Sequence, residues 1–503
     1  MPPKNHLTRT STGVTGLDDI LYGGFPSGQM YLLEGNPGTG KTTIALQFIL
    51  EGARLGEAAL YVTLSESKDE LQAAANSHGW SLDEVNIVEF VPEEASANAE
   101  NSYTVFHPDE VELADTIKKL IEEIERVQAK RVVLDSLSEL RLLASEPVKY
   151  RRQLLALKRY FAGRGMTTLL LDDKGGDADD VQLQSIAHGV IRLSKQPRTY
   201  GIIRRQIEIL KVRGSGFREG LHDYNIDGDG LHVFPRLIAA EHPADFTEES
   251  LPGGVTALDL MFGGGIERGA STLVLGPTGV GKSSIVMQYL QAAANREEKS
   301  YLYSFDESTR TARVRAKSIG MQIEGPIANG HLVLRQVDPA ELSPGEFVTQ
   351  IRRAVDEEQA RVIVIDSLNG FLHAMTGESD LPLQLHELLT YLDARGVATF
   401  LVLTQHGFAG DTRTQADISY LADNVLLLRY FEAQGQVRRA LSVVKKRSGA
   451  HETSIRELKL SSAGIHIGEP LSEFRGILSG FPTSEERSPE LRLDHKNPEE
   501  GQR

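Results

Sequence analysis

The pattern G-x-x-x-x-G-K-S/T occurs twice in this chain. It reads Gly35-Asn36-Pro37-Gly38-Thr39-Gly40-Lys41-Thr42 in the first half and Gly276-Pro277-Thr278-Gly279-Val280-Gly281-Lys282-Ser283 in the second. Each copy follows an apolar, strand-like run (residues 30–33 and 271–275) and precedes a helix-like one. A loop in that setting turns its backbone N–H groups inward around a polyphosphate. Its lysine reaches the β- and γ-phosphates and its last hydroxyl ligates Mg²⁺. A glycine-rich turn without a ligand has no use for the lysine. Both loops, extended by Thr43 and Ser284, are therefore expected to bind ATP with Mg²⁺.

Other features repeat at nearly the same interval. Val132-Val133-Leu134-Asp135-Ser136 is echoed by Val362-Ile363-Val364-Ile365-Asp366-Ser367. Upstream, Gly13-Val14-Thr15-Gly16-Leu17-Asp18 is echoed by Gly254-Val255-Thr256-Ala257-Leu258-Asp259. A period this long means duplication of a whole domain rather than a short structural repeat. The first domain is placed at 1–240 and the second at 251–470. Between them, 241–250 reads as a linker, with Pro243 and charged neighbours breaking the apolar pattern. The polar, proline-broken tail over 471–503 reads as largely disordered.

Within each half, short β-branched runs (59–64, 132–134, 167–171 and 190–193) alternate with helical spacing. In 109–127 the apolar residues Val111, Ala114, Ile117, Ile121 and Ile124 predict one helix. The expected fold class is α/β: two tandem P-loop domains, each a mainly parallel sheet with helices on both faces. Ligands of such sheets sit at the carboxyl ends of the strands, where both loops and both aspartates fall.

Cysteine is absent, which excludes disulfides, thiol catalysis and thiolate metal sites. A formal net charge of −16 disfavours a nucleic-acid partner, because backbone binding needs neutralised phosphates. The start Met1-Pro2-Pro3-Lys4 has no secretory core, and no apolar run approaches membrane-spanning length. The expected location is the cytoplasm.

Asp135 and Asp366 stand where an acidic group completes the Mg²⁺ site begun by Thr42 and Ser283. A helix cap through the adjacent serine is the alternative. Glu66 and the Asp306-Glu307 pair follow the next strand, where a carboxylate can orient an attacking group. First-turn acids at a helix start fit there equally well. Basic segments close each domain: Lys211-Val212-Arg213 and Lys445-Lys446-Arg447. Alone such residues are solvated strand-end charges; in a ring of subunits they can reach a neighbour's nucleotide.

These motifs together resemble the KaiC family of RecA-like ATPases over roughly residues 8–480. The resemblance implies a homo-hexameric double ring with ATP at subunit interfaces. It also implies protein regulators docking on the rings, and an autokinase in the second domain that phosphorylates serine and threonine. The family's paired glutamates fall on Ser65 and Glu66, and on Asp306 and Glu307, so one first-domain carboxylate has become serine. Its adenine pocket falls on Ser77 and His78, and on Ile319 where the family has an aromatic ring. The residues reaching across the interface fall on Lys211 and Arg213, and on Lys445, Arg447 and His451, with Phe217 standing for the histidine in the first domain. The phosphoacceptor segment falls on 412–423, its serine on Ser419 and its threonine on Tyr420. The resulting reading is an ATPase and autokinase acting as a signalling or timing switch. The alternatives are a DNA-processing motor, or a scaffold whose first domain uses ATP mainly for assembly.

Overall fold

The computed structural model describes residues 8–90, 108–142, 144, 147–173, 180–198, 200–244, 246–247, 249–374, 381–405, 419–477 and 483–484. Most of the tail, 478–482 and 485–503, lies outside the described residues. The chain forms two compact units: residues 1–237 with 340–351, and residues 238–339 with 352–503.

The first unit holds a nine-stranded sheet. Its strands in chain order are β1 (Met30–Gly35), β2 (Ala59–Thr63), β3 (Asn86–Glu89), β4 (Arg131–Asp135), β5 (Thr167–Asp173), β6 (Gly189–Gln196), β7 (Arg204–Val212), β8 (Leu221–Asp227) and β9 (Gly230–Phe234). Across the sheet they run β3-β2-β4-β5-β1-β6-β7-β8-β9. The second unit repeats the arrangement. There β10 (Ser271–Gly276), β11 (Lys299–Ser304), β12 (Leu332–Gln336), β13 (Ala360–Asp366), β14 (Ala398–Thr404), β15 (Asn424–Ala433), β16 (Gln436–Lys446), β17 (Arg456–Ser461) and β18 (Gly464–Pro470) run β12-β11-β13-β14-β10-β15-β16-β17-β18. The two orders are the same once the numbers are offset, as duplication requires.

In the first sheet, β1 to β6 pair in parallel. Strands β7 to β9 add an antiparallel meander that the apolar runs did not foretell. The parallel strands are buried on both faces, so their alternation feeds two cores. Tyr31, Leu33, Tyr61 and Val133 face the core under helix α1 (Lys41–Arg54). Met30, Leu32, Leu60, Val62 and Leu134 face the core covered by α3 (Pro108–Val127) and α4 (Pro147–Arg164), with α2 (Lys68–Ser77) following β2. Helix α3 forms where expected, but its buried stripe is Leu113, Ile117, Leu120 and Ile124. Ala114 is exposed instead, because the spacing of four, three and four residues from Leu113 keeps the larger side chains on one face.

Candidate nucleotide sites

Each phosphate loop closes on a glycine in the left-handed region. Gly40 has φ +94° at the N-cap of α1, and Gly281 has φ +112° at the N-cap of α5 (Lys282–Asn295). No side chain caps either helix, so the first-turn N–H groups point into the loop. Gly35 is needed for closeness: a Cβ there would stand 2.8 Å from both Leu193 O and Thr39 Oγ1. The backbone curls too tightly for side chains, which is the shape of a polyphosphate cradle.

The lysines are buried. Lys41 Nζ donates to Gly35 O at 2.8 Å and pairs with Asp173 Oδ1 at 2.7 Å. Lys282 Nζ donates to Gly276 O and Pro277 O, each at 2.9 Å. Burial pushes the Lys282 pKa down to about 8, against the pull of Asp366 and Asp306.

Thr42 lies close enough to Asp135, and Ser283 to Asp366, for the hydroxyl to favour the charged carboxylate. Each half thus brings one hydroxyl and one carboxylate together beside a loop. Among the described residues, no cluster of three or more His, Cys, Asp or Glu could hold a metal ion. The pairs fit Mg²⁺, which keeps waters and phosphate oxygens and needs only one or two protein ligands. Burial is the largest influence on both aspartates and raises their pKa values. Tyr61 opposes this by donating a 2.5 Å hydrogen bond to Asp135 Oδ2. In the second half the Ser367 hydroxyl accepts from Gly370 N at 3.2 Å, so the serine does cap its helix. Capping by the serine leaves Asp366 free to face the loop.

The carboxylates after β2 and β11 are likewise spared from capping. Ser67 caps α2 in a box with Glu70, and Ser308 caps α6 (Thr309–Ser318). Glu66 is held by its backbone to Thr63 Oγ1, and its side chain is half-buried. Burial raises its pKa, followed by the charges of Asp135 and Glu70. Arg315 on α6 grips Glu307 through Nη2 at 2.6 Å, and Ser367 donates to Asp306. Arg315 and Tyr61 carry no motif and were missed in the sequence, as was Asp173.

The basic segments sit elsewhere. Lys211 pairs with Val190, which pairs with Leu32 near the start of β1. Lys445 pairs with Val425, which pairs with Leu273. Both lie toward the end of the sheet opposite their own loop. Lys211 donates to Gln184 O and Arg213 to Ser185 O at 2.5 Å. Lys445 donates to Ser419 O at 3.0 Å, and Arg447 to Tyr420 O at 2.7 Å. Ser419 therefore shares this far edge, while residues 412–418 lie outside the described ones. His451 is half-buried beyond them. Exposed Ser77 and half-buried His78 end α2, with His78 Nδ1 2.8 Å from Asp227 O. Ile319 is only 8% exposed and packs into the second unit's core.

Together the sheet order, the paired loops and the hydroxyl–carboxylate pairs define a tandem P-loop ATPase of RecA-like architecture. A family model described as "ATPase: KaiC" matches residues 10–238 and again 251–472. The chain belongs to the KaiC family. It is 30% identical over 484 residues to the circadian clock oscillator protein KaiC of a Picosynechococcus species, covering 95% of this chain and 93% of that protein. It is 28% identical over 485 residues to the KaiC of Acaryochloris marina, covering 95% and 92%. It is also 28% identical over 488 residues to KaiC 1 of a Synechocystis species, covering 96% and 93%. No helix among the described residues is long and apolar enough to cross a membrane.

Proposed function

We propose that both domains hydrolyse ATP·Mg²⁺ at interfaces between subunits of a homo-hexameric double ring, and that the second domain also phosphorylates Ser419 of its neighbour. The protein then acts in the cytoplasm as a signalling or timing switch read by docking proteins. The observation carrying this reading is the strand register. It sets Lys211 and Lys445 toward the edge away from their own phosphate loops, with Arg213 and Arg447 following them and Ser419 O accepting from Lys445. Charges so far from their own γ-phosphate are either solvated strand-end charges or serve a site across an interface, and the family's ring supports the second.

In each site the loop N–H groups and Lys41 or Lys282 fix the β- and γ-phosphates. Thr42 with Asp135, and Ser283 with Asp366, would hold Mg²⁺, which supplies neutralising charge to the phosphates when bound. Glu66, its pKa raised by burial, accepts the proton of an attacking water in the first site. Glu307, positioned by Arg315 and helped by Asp306, does the same in the second for water or for the Ser419 hydroxyl. In the latter case the serine oxygen bonds to the γ-phosphorus, its proton passes to Glu307, and ADP departs. Ser77 and His78 flank the adenine in the first site. Ile319 gives at most apolar contact in the second, and His451 joins the cations across the interface. Catalysis is mainly positioning and charge neutralisation.

Mass spectrometry after incubation with ATP and Mg²⁺ tests the kinase. Phosphate on Ser419 that disappears in Glu307→Gln is expected. Unmodified protein with steady ATP turnover would leave an ATPase without autokinase activity.

A further inference from the structure

The two sites differ in the charge set against the lysine. Strand β5 runs beside β1, and its last residue, Asp173, is in register with Gly35. In the second sheet β14 runs beside β10, and Thr404 is in register with Gly276. The first site therefore carries a carboxylate where the second carries a hydroxyl. Asp173 is half-exposed, and its Oδ1 sits 2.7 Å from buried Lys41 Nζ. Ser65, in turn, stands where the second site has Asp306.

We propose that Asp173 is a positioning residue that acts through Lys41 as a built-in competitor of the β- and γ-phosphates. The chain of reasoning rests on the reading of the first loop as a nucleotide site. Lys41 has one ammonium group, and Asp173 and a triphosphate both seek it. The three N–H groups of Lys41 already face Gly35 O, Asp173 Oδ1 and, at 3.4 Å, Asn36 O, so a phosphate that takes Lys41 competes with Asp173 and lies beside a carboxylate of its own sign. Asp173 also adds negative charge to a site that already holds Asp135 and Glu66. Among the described residues Lys282 forms no such ion pair: its bonds go to the loop carbonyls of Gly276 and Pro277, with Asp366 and Asp306 acting on it only at longer range. The second site holds as many carboxylates in Asp306, Asp366 and Glu307, so the first is tuned to weaker phosphate binding by the ion pair on its lysine and not by the count of charges.

The test uses the full-length chain carrying Lys282→Ala, stripped of nucleotide, so that bound ligand reports the first site. ATP and AMP are titrated by calorimetry. Asp173→Asn should tighten ATP about tenfold, the size of one hydrogen bond to a charged group. AMP, which lacks the contested phosphates, should bind as before. Asp173→Glu should stay near the parent. In the reciprocal experiment on Lys41→Ala, Thr404→Asp should loosen ATP by a similar factor. A purely structural ion pair gives the opposite sign, since breaking it disorders the loop. Weaker or unchanged ATP binding in Asp173→Asn, or equal tightening of AMP, overturns the proposal. A Lys282→Ala parent that takes up no ATP at all refutes the underlying nucleotide reading of the first site, and the inference with it.

Discussion

Arg213→Ala is expected to stop first-domain hydrolysis without disturbing the same subunit's phosphate loop. From Leu32, the partner level of Lys211, the strand must run three more residues to Gly35, about 10 Å at roughly 3.3 Å per residue. Strand β7 also lies two strand spacings from β1, about another 10 Å. The separation is therefore on the order of 14 Å, well beyond hydrogen-bond reach. A basic residue acting in trans on a phosphoryl transfer contributes roughly 10³-fold or more in favourable cases. The assay mixes Arg213→Ala chains with Lys41→Ala chains, both carrying Glu307→Gln to silence the second domain, and follows phosphate release. In a closed head-to-tail ring, random mixing in equal parts places an intact loop beside an intact basic segment at about a quarter of the interfaces. About a quarter of parental activity should return. Native mass spectrometry checks that the mixed rings form. Mixed rings no more active than the two variants apart would refute action across the interface.

Tyr61→Phe removes a hydrogen bond to a buried carboxylate and should cost about 1.5–3 kcal/mol at pH 8, read from denaturant midpoints. Burial already raises the Asp135 pKa in the folded chain, so its stability contribution is present at acid pH and lost as pH rises through that raised value. The variant raises it further, and the loss must grow as the pH rises through the raised value; the reverse trend contradicts the assignment. With Lys282 at about 8, ATP binding at the second site must take up a proton above that pH. Affinity should then fall toward tenfold per pH unit above pH 8 in a Lys41→Ala chain, whereas a flat profile to pH 9.5 would exclude a buried, easily neutralised lysine. Gly281→Ala forces a Cβ onto φ +112° and to 2.9 Å from Leu460 Cδ1. It should lose second-site ATP binding in calorimetry while leaving the first site intact, at a backbone cost of about 1–2 kcal/mol.

The parts of the site that were legible in the sequence are local in the chain. The loop glycines, Lys41, Lys282 and the strand-end aspartates declare themselves because their spacing alone fixes their geometry. The cap by Ser367 was legible as an alternative, whereas the sequence did not single out Ser67 and Ser308, and the acids before them lie ahead of the helix and not in its first turn. Asp173 was not legible, because only the pairing of β5 with β1 carries it to Lys41. Arg315 reaches Glu307 across the first turns of α6, a contact that no motif encodes. The position assigned to adenine at Ile319 came from the resemblance alone, and the side chain packs into the core. The antiparallel meander was missed because its strands alternate with polar residues and lack the continuous apolar runs of β1 to β6. Its register is nevertheless what separates the basic segments from their own loops.

The central claim is that the two loops are separate cradles, each holding a triphosphate by backbone N–H groups and one lysine. Calorimetric titration of the nucleotide-stripped chain with ATP and Mg²⁺ tests it most directly. The account predicts one ATP bound per loop, with one site lost in Lys41→Ala, the other lost in Lys282→Ala, and no uptake when both are changed. Full uptake by the double variant, or none by the unaltered chain, would contradict it.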